Sequence, residues 1–325
     1  MAYYSIELCA GAGGQALGLE RAGFQHVELI DTDHSACNTL RFNRPQWQVV
    51  EGDIRNYCPK LPIEIDLLAG GVPCPPFSVA GKQLGSKDER DLFPEALRLV
   101  KELQPKAVML ENVRGLLDSR FDGYRTGIVK FLEKSGYTAD WKLINASDYG
   151  VSQLRPRVIC VALRKEIAPF YSWPKASKTV PPTVGELLYG LMAKNGWKGA
   201  DQWKKTACNI APTIVGGSKK HGGPDLGPTR ARTAWASLGV EGNGIANDAP
   251  TEDFEGIPRL TIEMVARIQG FPADWIFTGT KTNQYRQIGN AFPPPVAEAV
   301  GKQIKKALDA YTAFVENTAQ KRRSA

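Results

Sequence analysis

Residues able to do chemistry fall in five short stretches of the 325-residue chain. In Asp66-Leu67-Leu68-Ala69-Gly70-Gly71-Val72-Pro73-Cys74-Pro75-Pro76-Phe77-Ser78, an apolar run ends in two glycines and a cysteine stands among three prolines. Proline fixes φ and removes a backbone donor, so this spacing puts Cys74 on a stiff loop beyond a strand tip. A thiol held there is a candidate nucleophile. A free cysteine is also a common small core residue, and the stretch alone leaves both readings open. An ordinary thiol is only a few per cent thiolate near neutral pH and needs activation. The three histidines, His26, His34 and His221, lie outside all five stretches, which argues against a Cys–His hydrolase.

Glu111-Asn112-Val113 follows an apolar run at 107–110. A glutamate there can serve as an acid near neutral pH only if burial raises it from a reference of about 4.3. Its plainer role would be a structural carboxylate at a turn. Gln153-Leu154-Arg155-Pro156-Arg157 precedes a strongly apolar run at 158–163, which implies burial of at least one arginine. Glu7-Leu8-Cys9-Ala10-Gly11-Ala12-Gly13-Gly14 reads as strand, glycine turn and helix, an arrangement that lets a ligand approach backbone. Asp31 ends the next apolar run, where Rossmann-like folds set a carboxylate against ribose hydroxyls, with Asp33 as a near competitor. Asp53 ends a third run and, by itself, would more often be a cap.

Short apolar runs at 4–8, 27–30, 47–50, 65–69, 107–110, 141–145 and 158–163 are the expected strands. Helical periodicity falls between them at 15–22, 92–103 and 125–136, and returns from 293 to about 314. Alternation of this kind predicts an α/β fold with a mostly parallel sheet flanked by helices. From 165 to 258 regular periodicity fades among Pro181-Pro182, Gly216-Gly217 and Gly222-Gly223-Pro224. A loop that long inside one compact domain would be unusual, so a smaller irregular domain at 166–272 is expected beside a main domain of 1–165 plus 273–325. The last residues, Gln320-Lys321-Arg322-Arg323, read as a frayed tail.

Hydrophobic content of 42% allows a sizeable core, and 41 Lys and Arg against 34 Asp and Glu (net +7) suit a polyanionic partner. Six scattered cysteines without a C-x-x-C pair fit a reducing compartment and argue against disulfides or a structural metal. No signal-like segment opens the chain and no long apolar run occurs, so a cytoplasmic, nucleoid-associated protein with no membrane span is expected.

Together with Gln287-Ile288-Gly289-Asn290-Ala291, these stretches resemble, in order, the motif series of the bacterial cytosine-C5 DNA methyltransferases. The likeness covers roughly residues 4–164 and 259–305. It implies a Rossmann-like sheet, S-adenosylmethionine as methyl donor, and transfer to C5 of a cytosine flipped out of a specific double-stranded DNA sequence through a covalent Cys74–C6 intermediate. By the same resemblance, Glu111 protonates or hydrogen-bonds ring N3, Arg157 contacts O2 and Arg155 supports Glu111, although the two arginines could exchange roles. Cofactor contacts carry over to Cys9, Ala10, Gly11, Gly13, Gly14, Asp31, Thr32, Asp53, Ile54, Leu92, Asn290 and Ala291. Asp31 then takes the ribose and Asp53 the adenine amino group. No metal is implied.

In the family the loop bearing Ser78 and Lys82 closes over DNA, and the variable region is the target-recognition slot. There Lys219, Lys220, Arg230 and Arg232 are the expected DNA contacts, with the Trp197–Trp203 stretch as the fallback. A monomer is expected, with a restriction endonuclease as a possible partner on the same site. The chain departs from the family at Cys9, where phenylalanine usually stacks on adenine, at the smaller Thr32, and at Val72-Pro73-Cys74-Pro75-Pro76 in place of Pro-Pro-Cys-Gln-Gly. A tRNA cytosine-C5 methyltransferase of the same fold is the alternative; the size of the recognition region and the lack of a Cys-Phe-Thr run favour DNA. A nicotinamide oxidoreductase would leave the Pro-Cys loop idle, and a non-catalytic DNA-binding module would leave Cys74 and Glu111 idle.

Overall fold

A computed structural model describes residues 2–59, 64–73, 91–217 and 223–323. Strand β1 (Tyr3–Leu8) leads through the glycine turn into α1 (Gly14–Ala22), then β2 (Phe24–Asp31), α2 (His34–Asn43), β3 (Val49–Glu51) and β4 (Leu67–Gly70). After it come α3 (Phe93–Leu103), β5 (Ala107–Val113), α4 (Asp122–Lys134), β6 (Tyr137–Asn145) and β7 (Pro156–Arg164). The seven strands form one sheet in the order β3-β2-β1-β4-β5-β7-β6.

β1 to β5 are mutually parallel, whereas β7 runs antiparallel to both of its neighbours, β5 and β6. The expectation of a mostly parallel sheet therefore holds, with one reversed strand. Leu67, Leu68 and Ala69 of β4 are completely buried, as an inner strand covered on both faces requires. The chain winds outward from β1 through β2 and β3, then returns to β4 and β5. The strand order thus reverses between β1 and β4, where open α/β sheets bind ligands.

The later part is helical: α5 (Val184–Met192), α6 (Ala200–Thr206), α7 (Thr229–Ala236), α8 (Ile262–Gln269), α9 (Lys281–Asn290) and α10 (Pro294–Arg323). Sequence periodicity at 165–258 missed α5 to α7 because they are short. α5 is nevertheless signalled by a capping box, with Thr183 accepting the Glu186 N–H and Glu186 accepting the Thr183 N–H. Side chains from α5, α6 and α8 share one apolar cluster with Ala16, Leu17 and Leu40 of α1 and α2, so this region packs directly on the sheet's helices. α10 lies against α1 so closely that a Cβ on Gly18 would come within 2.4 Å of the Pro294 carbonyl oxygen. The expected frayed tail is a correction: α10 stays helical through Arg323.

Candidate active site

At the carboxyl ends of β1 to β5 lies a cavity of about 680 Å³, within the range of ligand sites. Four of the five expected stretches contribute lining residues, and Gln153–Arg157 does not. β1 ends at Leu8, and Cys9 (φ 51) and Gly11 (φ 53) take left-handed backbone to turn the chain into α1. Cys9, Ala10, Gly11 and Gly14 line the cavity. Gly13 does not: at φ 84 it caps α1, and a Cβ there would come within 2.6 Å of Leu40 in the core. What Gly13 supplies here is the left-handed turn and the close packing on Leu40.

Asp31 and Thr32, with Asp53 and Ile54, line the same cavity from the ends of β2 and β3, and Leu92 closes it. Asp31 Oδ2 accepts the Gly11 N–H at 2.7 Å and Oδ1 accepts the Asp33 N–H at 2.7 Å, which fixes the carboxylate against the glycine turn. Asp33 instead caps α2 by accepting the Ala36 N–H, and pairs with Arg286 at 3.2 Å. Asp53 keeps its capping role as well. It accepts the Arg55 N–H and pairs with the Arg55 guanidinium, which holds its carboxyl below the usual range. Arg286 and Asn290 of α9 and Ala291 just after it also line the cavity.

Glu111 lines the cavity near the end of β5. Val113 pairs with Arg157 across the antiparallel β5–β7 ladder, so Arg157 lies diagonal to Glu111 on one face. Arg157 Nε is 2.8 Å from Glu111 Oε1. Burial pushes the Glu111 carboxyl above its usual range, opposed by Arg157 and then Arg155. Arg155 corrects the expectation. Completely buried, it makes no hydrogen bond to Glu111 among the described residues, but donates to the Ile214 carbonyl at 2.8 Å, Gly289 at 2.8 Å and Ala291 at 2.9 Å. Support of Glu111 belongs to Arg157, and Arg155 is a brace.

Cys74, Ser78 and Lys82 lie outside the described residues, as do Lys219 and Lys220. The flanks of the cysteine loop are well held. Asn112 Nδ2 donates to the Val72 carbonyl at 2.9 Å, and the Leu92 N–H donates to Pro73 at 3.1 Å. Pro73, the residue before Cys74, lines the cavity. In the variable region Arg230 is exposed, while Arg232 donates to Asn243 Oδ1 at 2.5 Å. The fallback stretch is structural, because Trp197 and Trp203 are buried with their indole N–H groups on the Phe254 and Gly239 carbonyls.

The family model for C-5 cytosine-specific DNA methylases matches residues 3–306. The chain belongs to this family. The methyltransferase is 59% identical over 311 residues to the Type II methyltransferase M.NgoMIV of Neisseria gonorrhoeae, spanning 95% of this chain and 99% of that protein. It is 56% identical over 310 residues to M.NaeI of Lentzea aerocolonigenes, spanning 94% of this chain and 75% of the relative. A crystal structure of a protein from an Escherichia coli prophage superposes with a TM-score of 0.66 at 25% identity, covering 94% of this chain and 99% of that one. The enzyme is thus a DNA cytosine-C5 methyltransferase with S-adenosylmethionine as methyl donor, and an RNA substrate has less support. No described helix is long and apolar enough to cross a membrane.

The cavity suits that donor. Glu7, Asp31, Asp33, Asp53 and Glu111 line it, an acid-rich wall suited to a donor that carries positive charge. Sequence reasoning passed over Glu7, Gln15 and Arg286, which line it too. The available signal was polarity out of place: Glu7 stands inside an apolar strand, and Gln15 stands among small apolar residues of a buried helix.

Proposed function

We propose that the enzyme methylates C5 of one cytosine, flipped out of a specific double-stranded sequence, as the modification member of a Type II restriction–modification pair. The observation that carries this reading is the meeting, at one sheet edge, of Glu111 paired with Arg157, Pro73 leading into Cys74, and the acid-lined cavity. Bound there, S-adenosylmethionine supplies an electrophilic methyl group. Asp31 accepts from the ribose hydroxyls, while Asp53 accepts from the adenine amino group, with Ile54 and Leu92 as apolar walls.

Cys74 adds as thiolate to C6 of the base. Glu111 holds a proton at N3, which draws electrons from C6 and leaves C5 nucleophilic after the addition. Arg157 orients Glu111 and reaches O2. After transfer, a water molecule takes the C5 proton, the freed electron pair re-forms the C5–C6 double bond and expels the Cys74 thiolate, and the N3 proton returns to Glu111. The stacked duplex hides C5 and C6, so flipping costs a few kcal/mol, which contacts from residues 166–272 offset. Lys219, Lys220 and Arg230 are the DNA contacts of that recognition domain. A monomer in the cytoplasm, acting on the nucleoid beside a cognate endonuclease, completes the reading.

Trapping tests it. Duplex carrying 5-fluorocytosine at the methylated position should form a denaturation-resistant adduct with the wild type and none with Cys74→Ser, which should still bind S-adenosylmethionine. An adduct with both proteins would put the nucleophile elsewhere.

A further inference from the structure

Gln15 stands in the first turn of α1, is 3% exposed and lines the cofactor cavity. Neither Oε1 nor Nε2 of its amide has a hydrogen-bond partner among the described residues. Buried side-chain amides are normally satisfied, because leaving one unpaired forfeits its hydration. A second unpartnered atom shares this wall. Glu7, 1% exposed, takes the Ala16 N–H on its carboxyl group, yet its Oε2 is unpaired. Gly14, beside Gln15, packs so tightly on Ala291 and Phe292 that a Cβ would come within 2.2 Å of the Phe292 carbonyl oxygen. This corner is therefore rigid, and a polar group presented by a ligand would meet a fixed amide donor, a fixed amide acceptor and the unpaired Glu7 oxygen.

The adenosine-binding groups, Asp31, Asp53, Ile54 and Leu92, belong to the ends of β2 and β3 and the start of α3. The corner formed by β1, α1 and Ala291 is left for the other end of the cofactor, an amino acid carrying one ammonium and one carboxylate.

We propose that Gln15 is a cofactor-positioning residue that grips the amino-acid end of S-adenosylmethionine, its amide N–H donating to the carboxylate and its carbonyl accepting from the ammonium. It takes this cavity as the cofactor's. By holding the distal end, Gln15 sets how far the sulfonium methyl reaches toward Glu111 and the Pro73–Cys74 step.

Calorimetric binding to the full chain tests the assignment with S-adenosylmethionine and with 5′-methylthioadenosine, which lacks the amino-acid end. Gln15→Leu and the unbranched, shape-conserving Gln15→Met should both weaken S-adenosylmethionine by about tenfold or more, as loss of hydrogen bonds to charged groups does. Both should bind methylthioadenosine within about twofold of wild type. If Gln15→Met folds and binds S-adenosylmethionine as wild type does, the assignment is overturned. Equal weakening of both ligands overturns it too, because Gln15 would then only shape the cavity. Asp31→Ala separates the underlying reading: if it leaves both ligands unaffected, the cavity is not the cofactor's, and the role of Gln15 falls with it.

Discussion

Arg157 Nε lies 2.8 Å from Glu111 Oε1 in a pocket where both side chains are nearly closed to solvent. Their pairing fixes the carboxyl orientation, while burial raises the Glu111 pKa and the guanidinium groups limit that rise. Guanidinium groups do not deprotonate near neutral pH, so Arg157 remains the fixed charge and Glu111 the group that changes protonation. Glu111→Gln should lower turnover by at least about 10²-fold, with little change in DNA affinity. Wild-type turnover should fall as pH rises past the raised Glu111 pKa. A single-turnover pH series checks both, and near-normal turnover in the glutamine variant would return Glu111 to a structural role.

Arg155 and Arg157, two residues apart, should fail differently. Arg155 satisfies three carbonyl groups from two segments, so Arg155→Met should cost about 3 kcal/mol of stability. It should also weaken cofactor binding, because Ala291 lines the cavity. Arg157→Met should instead lower turnover more than stability. Urea melts beside initial rates for the two variants decide it; matching profiles would refute the division of labour.

His26 predicts an acid limb of stability. Burial holds its pKa down to about 4 from 6.5, while the contact of Nε2 with the Ala16 carbonyl at 2.8 Å opposes the shift. The unfolded chain therefore binds a proton below pH 6.5 that the folded chain refuses until about pH 4. Stability from this group is full above the upper value and is lost as pH falls through that window, by up to about 3 kcal/mol, and less because the residue is only half-buried. Burial raises Glu7 and Glu111, which slopes stability the opposite way, so the difference between wild type and His26→Gln is the quantity to measure. Melting temperatures of the two should converge from pH 7 to pH 4.5; parallel curves would refute the prediction.

In the proposed recognition region Arg230 is exposed, whereas Arg232 already holds Asn243. Arg230→Ala should lose about 1–3 kcal/mol of discrimination at one base position. Lys219→Ala and Lys220→Ala should weaken binding to every sequence and reduce the salt slope by about one unit per phosphate contact. Competition binding across single-base variants of the site, at several salt concentrations, separates these roles.

Much of the site was legible from sequence because it is built from strand ends. A short apolar run followed by a glycine or a carboxylate announces both the strand and the edge to which its last residue is delivered, as with Leu8 to Gly11, Asp31, Asp53 and Glu111. Local order also marked the Pro73–Cys74 step, since proline acts on its own backbone. The roles of the two arginines and of Gly13 were not local. Only the reversal of β7 brings Arg155 and Arg157, which precede or begin that strand, to the edge where the parallel strands end; a parallel β7 would have carried them to the opposite edge. Which arginine meets Glu111 then depends on cross-strand register, and which one braces carbonyls depends on Ile214 and Gly289, distant in sequence. Gly13 turned inward because Leu40 and Trp275 pack against it. Spacing along the chain determined which residues reach the sheet edge; long-range packing alone decided which of them face the cavity and which face one another.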